Sequence, residues 1–234
     1  MIKFPNMPKE NIIISLGGSL VAPGEIDVAF LRVFKKAILK NTTSQRFFIF
    51  VGGGKICRNY QHALLEFGAD INERDVMGVD VSRLNARVVQ QLFGEAAHSQ
   101  IITNPTKKIS TNKYIIVAAG WKPGWSTDYC AVTLAKNMGI KTIVNLRGKS
   151  EIGSTFVTVL QRYGEALKDH QSKLMLVGVD PVVRDQLAKT GVLKDIGEEN
   201  VFVATPQLGA ALNQAVAAAT AWLAQSPRSA SGVG

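Results

Sequence analysis

Short runs rich in branched and aromatic residues alternate along this chain with stretches whose apolar residues fall at helical spacing, and three of the runs end in glycine-bearing turns. Parallel strands need a crossover between them, and the crossover helices must be laid on the sheet, so this alternation points to a parallel sheet covered on both faces. The expected strands are Ile12–Leu16, Phe47–Val51, Gln100–Thr103, Tyr114–Ala118, Thr142–Leu146, Lys173–Val177 and Val201–Val203. Helical spacing joins Phe30, Leu31, Phe34 and Ile38 in one stretch, and Phe156, Val159, Leu160, Tyr163 and Leu167 in another. The fold class expected is α/β, a three-layer αβα arrangement with a mostly parallel sheet. The polar segment 104–112 reads as a loop, and residues 226–234 have no apolar period and read as a disordered tail.

With 234 residues, 46% of them hydrophobic, the chain can bury one substantial core or two small ones. The Ala-rich stretch Ala210–Ala224 contains Asn213 and Gln214, so it reads as a packed helix and not as a membrane span. The first residues mix Lys, Pro and Glu and lack the apolar stretch of a signal peptide. Two cysteines, Cys57 and Cys130, cannot make a disulfide framework and fit a reduced, cytoplasmic setting. His62, His98 and His170 are scattered, so no metal site is expected from histidine.

Of the net charge of +9, +8 falls within residues 1–146. A basic first half suits phosphate-bearing ligands. The basic residues form no run and are not interleaved with stacking aromatics, so nucleic acid is not the expected partner.

Three glycine-centred segments carry the chemistry. Ile12–Leu16 runs straight into Gly17, Gly18 and Ser19. Glycine at a strand's carboxyl end lets backbone N–H groups approach an anion closely, at the edge of the sheet where α/β folds hold ligands. Taken alone, this segment reads more readily as a tight strand-to-helix turn. Phe47–Val51 leads into Gly52, Gly53 and Gly54, then a helix starting near Lys55. Each glycine costs about 1 kcal/mol against alanine in an ordered element, so a plain turn has little use for three. The helix N-terminus adds a dipole favourable to phosphate, and Lys55 and Arg58 can supply charge-assisted bonds. The third segment, Gly120 to Asp128, follows a strand and precedes a helical run. Ser126, Thr127 and Asp128 can cap that helix and, without conflict, bind phosphate or ribose and orient a lysine or a magnesium ion.

Asp75-Val76-Met77-Gly78 followed by Ser82-Arg83-Leu84-Asn85-Ala86, together with Gly-Gly-Gly-x-x-x-Arg and Pro-Gly-x-Ser-Thr-Asp, resembles the UMP kinases of the amino-acid-kinase superfamily over about residues 11–146. The resemblance implies that Gly53, Asp75, Gly120, Lys122, Gly124, Ser126 and Thr127 contact UMP. It places Gly17, Gly18, Ser19, Gly54, Lys55 and Arg58 along the phosphates being transferred, with Asp128 organising the reaction centre. It further implies ATP and Mg2+ as co-reactants, and kinases of this type are often homo-oligomers. Ser15 stands where many members have lysine. Beyond Leu146 the family's nucleotide-donor lobe is not recognisable in this chain.

Residues 142–225 resemble instead the later part of a STAS domain. The strings that carry this are Leu146-Arg147-Gly148 with Gly153-Ser154-Thr155-Phe156, Lys173 to Val179, Val183 to Leu187, Thr190 to Leu193 and Glu199 to Phe202. That resemblance implies Ser154 and Thr155 as phosphorylation sites. The domain division expected is therefore 1–146, 147–225 and a tail. Thr142–Leu146 suits both resemblances, and a right-handed return lays Lys173–Val177 beside it in parallel, so the sheet can continue across the junction. The function implied is UMP-kinase-like phosphoryl transfer. The alternatives are a non-catalytic STAS-type interaction module or a chimeric chain without activity.

Overall fold

In the first strand, β1 (Glu10–Leu16), the side chains of Ile12, Ile14 and Leu16 turn to one apolar layer and that of Ile13 to the other. Side chains alternate across a strand, so a strand apolar on both parities needs cover on both faces. A computed structural model describes residues 10–146, 160, 172–205 and 209–225. Within it β1 lies inside a six-stranded sheet of order β3-β2-β1-β4-β5-β6. The other strands are β2 (Gln45–Val51), β3 (Ile115–Ala118), β4 (Thr142–Leu146), β5 (Lys173–Val179) and β6 (Val201–Val203), and every neighbouring pair is parallel.

Among the described residues the helices are α1 (Gly18–Val21), α2 (Val28–Asn41), α3 (Gly54–Glu66), α4 (Ile71–Phe93), α5 (Thr127–Met138), α6 (Pro181–Lys189), α7 (Val192–Ile196) and α8 (Ala210–Gln225). One face of the sheet is covered by α2, α4 and α8 through Leu31, Phe34, Ala86, Val89, Leu212 and Val216. The other is covered by α5, α6 and α7 through Cys130, Leu134, Leu187, Val192 and Leu193. The three layers match the expected class. The spacing of Leu31, Phe34 and Ile38 is that of the buried stripe of α2, which opens on an Asp27 side chain accepting from the Phe30 N–H at 2.8 Å.

The chain winds outward from β1 to β2 and β3, then returns to the far side of β1 as β4 and continues through β5 and β6. The winding therefore reverses between β1 and β4, and in such sheets the crevice beyond the strands' carboxyl ends at the reversal is the natural ligand site. The sheet also runs unbroken from β4 to β5, on either side of the expected junction. Thr142 pairs with Lys173 and Leu146 with Val177 in regular register.

One expected strand does not form. Within Gln100–Thr103 only Ile102 bridges Ala118, and upstream Ala97 bridges Ile115. The intervening residues bend away, and the Asn104 side chain turns back on Thr106 at 2.9 Å, so the segment is an irregular rail along the β3 edge. The apolar period expected over 156–167, the tail, and Ser154 and Thr155 lie outside the described residues, apart from Leu160, which is buried in the second apolar layer.

Candidate functional site

The three glycine segments meet. Gly17, Gly18 and Ser19 leave β1, Gly52, Gly53 and Gly54 leave β2, and the loop after β3 runs from Gly120 to Ser126. They line one cleft of about 810 Å3, with Ser15, Arg58, Asp75, Thr127 and Asp128 on its walls. Parallel strands in register bring this about, since β1, β2 and β3 end side by side.

The first two loops touch backbone to backbone. A Cβ on Gly18 would stand 2.3 Å from the Gly52 carbonyl oxygen and from the Gly54 nitrogen, and one on Gly54 would meet Gly18 at the same distance. Gly54 also has a φ of +69°, a conformation L side chains rarely adopt. The Gly17 N–H donates to the Leu146 carbonyl at 2.8 Å and the Gly52 N–H to the Leu16 carbonyl at 2.9 Å. Both turns are thereby tied to the carboxyl ends of the sheet.

Helix α4 holds the remaining backbone. Its Asn85 Nδ2, almost fully buried, donates to the carbonyls of Gly52 at 2.9 Å and Gly53 at 3.1 Å. Ser82 Oγ accepts from the Gly120 N–H at 2.9 Å and donates to the Val79 carbonyl at 2.7 Å. Arg83 Nη2 donates to the Trp121 carbonyl at 2.9 Å, and Asp75 Oδ2 accepts from the Gly124 N–H at 2.8 Å. One helix thus fixes two of the three loops. At its head a capping box between Asp70 and Glu73 satisfies the free N–H groups.

At the reversal point, Asp128 Oδ1 accepts from Ser15 Oγ at 2.5 Å and from Asn145 Nδ2 at 3.0 Å. Asp128 is the second residue of α5, where a carboxylate is favoured by the helix dipole, and Ser126 caps that helix by accepting from the Tyr129 N–H at 3.1 Å. On the rim, Lys122 Nζ stands 4.4 Å from the Trp121 ring centroid and 5.1 Å from that of Trp125. Arg58 Nη2 lies 3.4 Å from Ser19 Oγ. Two cysteines sit close by. Burial pushes the Cys57 thiol up against the opposing pull of Arg58, and burial does the same to Cys130.

Of the residues singled out from the sequence, Gly17, Gly18, Ser19, Gly53, Gly54, Arg58, Asp75, Gly120, Lys122, Gly124, Ser126, Thr127 and Asp128 all line this cleft. Lys55 does not. It is exposed on the first turn of α3 and outside the lining. Sequence reasoning gave no role to Gln61, Val79 or, Asp75 apart, the inward face of α4. The signal was present for that face: Asp75, Gly78, Ser82 and Asn85 recur at three and four residues, which puts small and polar groups on one side of a helix.

The chemistry available is anion binding by backbone N–H groups and by Arg58 and Lys122, with a carboxylate at the sheet's reversal. A magnesium ion normally keeps several waters and takes one or two carboxylates plus phosphate oxygens. Asp128, flanked by hydroxyls, fits such a phosphate-carried ion. Among the described residues no cluster of three His, Cys, Asp or Glu forms a self-sufficient cage. No described helix is long and apolar enough to cross a membrane.

Against known families, residues 10–154 match the amino acid kinase family. A uridylate kinase of Methanospirillum hungatei is 34% identical over 138 residues, which cover 58% of this chain and 58% of that protein. A uridylate kinase of Pyrococcus abyssi is 30% identical over 135 residues, covering 57% of this chain and 60% of that protein. This chain therefore spans roughly three-fifths of the length of these curated relatives. Among solved structures, uridylate kinase from Archaeoglobus fulgidus superposes with a TM-score of 0.58 over 70% of this chain and 88% of that one, at 22% identity. UMP kinase from Ureaplasma parvum gives 0.52 over 71% and 88%, at 18% identity. At those identities the likeness is one of fold.

Proposed function

Because this chain belongs to the amino acid kinase family, we propose that its glycine-lined cleft binds a nucleoside monophosphate, UMP, and transfers to it the γ-phosphoryl group of ATP, giving UDP and ADP. The observation that carries the reading is the convergence of three glycine-bearing loops on one cleft at the reversal of the sheet. Transfer of this kind needs alignment and neutralisation of spread negative charge, not a covalent intermediate.

In this reading the loop from Gly120 to Thr127 with Gly53, Asp75 and Lys122 holds the acceptor. Gly17, Gly18, Ser19, Gly54 and Arg58 lie along the phosphates, with Lys55 an outer contributor of charge only. Asp128, held by Ser15 and Asn145, stands at the reaction centre. Asp128 would hold a magnesium ion, and the chemistry such an ion would supply is neutralisation of phosphate charge. ATP, magnesium and self-association belong to the proposal, as does a cytoplasmic setting, which the two free buried thiols favour.

The proposal also covers the second half. Residues 147–225 stand where the family's relatives continue into a donor lobe, and we read them as a STAS-like segment. The support is their strand and helix order, β5-α6-α7-β6-α8 over the described part. Phosphorylation at Ser154 or Thr155 would belong to this segment.

Isothermal titration with UMP, with and without magnesium-ATP, tests the reading together with a coupled assay of ADP release. Micromolar UMP binding and UMP-dependent ADP release are expected. Absence of UMP binding by folded protein overturns the acceptor assignment. UMP binding without turnover overturns the transferase assignment alone.

A further inference from the structure

We propose that Asn85 is a positioning residue that turns the peptide groups of the second glycine loop so that the Gly53 and Gly54 N–H groups serve as phosphate donors. The inference rests on reading the cleft as a phosphate site and names the device that sets its polarity.

Asn85 is 4% exposed and sits in the interior of α4, where asparagine is a poor helix former and a buried amide must find partners. Its Nδ2 bridges two consecutive carbonyls, Gly52 at 2.9 Å and Gly53 at 3.1 Å. The described peptide bonds are all trans, and in a trans unit the N–H points opposite to the C=O. Drawing the Gly52 and Gly53 carbonyls toward α4 therefore turns the N–H groups of Gly53 and Gly54 the other way. Gly52, Gly53 and Gly54 line the cleft, whereas Asn85, behind them on α4, does not. Neither N–H donates to a backbone carbonyl outside the helices and strands among the described residues, as expected of the N-cap and first residue of α3. Gly18 closes on the same backbone at a distance that leaves no room for a Cβ, so the loop is gripped from two directions.

Without the Asn85 amide, the Gly52 carbonyl would lose its side-chain donor and the Gly52–Gly53 peptide plane its tether, while the Gly53 carbonyl, at the N-cap of α3, would keep only its helical bond. The chain would keep its cleft and lose its preference for a phosphate over an uncharged ligand. A residue that served only the packing of α4 would affect charged and uncharged ligands alike.

The experiment compares UMP with uridine, by NMR titration of the full chain and of Asn85→Ala, with thermal melts as the folding control. In the unsubstituted protein, UMP is expected to shift the Gly53 and Gly54 amide protons strongly and uridine to leave them near their free positions. In Asn85→Ala the UMP affinity is expected to fall about tenfold or more, the loss of a charge-assisted bond, with uridine within about twofold. An equal loss for both ligands overturns the proposal. So does UMP binding that leaves the two glycine amides unmoved, a result that needs no variant and stands even if Asn85→Ala fails to fold. Absence of UMP binding by the unsubstituted protein overturns the reading of the cleft itself, and the proposal with it.

Discussion

Ser15 Oγ donates a 2.5 Å hydrogen bond to Asp128 Oδ1, joining the end of β1 to the first turn of α5 across 113 residues. Asn145 on β4 donates to the same oxygen at 3.0 Å. The carboxylate is thus set by the two strands between which the sheet reverses, the geometry expected of a group that must meet a ligand there. Asp128→Asn keeps the size and removes the charge. Phosphoryl transfer is expected to fall about 100-fold or more, with UMP affinity within about threefold, because electrostatic groups at a reaction centre act on the transition state. Ser15→Ala removes one of the donors and should cost about tenfold. Steady-state rates beside titration calorimetry check both. An Asp128→Asn enzyme with unchanged kcat would remove the residue from the mechanism.

Gly18 faces Gly54 with no space for a methyl group, whereas Gly24 has nothing within 4 Å of where its Cβ would stand. Gly18→Ala must push apart two backbone segments that cannot rotate away as a side chain can. Overpacking of this kind costs about 1–3 kcal/mol and should lower Tm by about 2–12 °C in a chain of this size. Gly24→Ala should leave Tm within about 1 °C, or raise it slightly by restricting the unfolded chain. Differential scanning calorimetry on the pair separates a true close approach from a general intolerance of loop changes.

The sheet was legible because its strands are apolar on both parities and bounded by glycine, a pattern that few other structures produce. The glycine loops were legible for the same reason: Gly18 and Gly54 carry their backbone requirement in their identity. What escaped was carried by side chains whose partners are distant in sequence. Ser82 and Asn85 were noticed as a string, yet their bonds run to Gly120 and to Gly52 and Gly53, and no local period reports those partners. Lys55 illustrates the opposite case. Its place on the first turn after a glycine loop suits phosphate binding, but side-chain direction on a helix is fixed by rotation about its axis, and the residue faces solvent. Gln100–Thr103 failed as a strand because an edge segment followed by Asn104 and Pro105 gains too few ladder bonds to stay regular.

Lys122 sits over two indoles, Trp121 and Trp125, which themselves meet edge to face at 4.7 Å between centroids. An exposed cation–π contact is worth about 0.5–1 kcal/mol, less than a charge-assisted bond to phosphate, so a bound phosphate should draw the ammonium off the rings. UMP is expected to change the intrinsic tryptophan emission saturably. Lys122→Met should abolish that change and weaken UMP binding by about tenfold. Trp222 lies far along the chain on α8 and serves as the internal constant. An emission change that survives in Lys122→Met would assign it to some other movement.

Both buried thiols are pushed up by loss of solvation. A group whose pKa is higher in the folded chain contributes its stability in full below the unfolded value and loses it as pH rises, since above about 8.5 the unfolded chain ionises first. Stability should therefore be level through neutral pH and fall as pH rises above about 8.5, until the folded-state thiols ionise in turn. Cys130, wholly buried, should carry more of the effect than Cys57, which is 9% exposed. Cys130→Ala is expected to flatten the alkaline part of a Tm-against-pH profile while barely altering Tm at neutral pH. A profile equally steep in both proteins would place the alkaline sensitivity elsewhere.

Helix α8 comes from the far end of the chain, yet Leu212 and Val216 are buried in the same apolar layer as Phe34 and Ile38 of α2, and Thr220 bonds the buried Gln45 at the start of β2. The second half is thus built into the sheet that carries the cleft. Leu212→Ala should cost about 2–5 kcal/mol, lowering Tm by about 4–20 °C in a chain of this length. The decisive feature is cooperativity. If the sheet is one unit, calorimetry shows one transition that moves as a whole, and UMP binding disappears over the same temperature range in which α8 is lost. Two separate transitions, with UMP binding retained through the first, would mean that the second half folds on its own and that the β4–β5 pairing contributes little to the cleft.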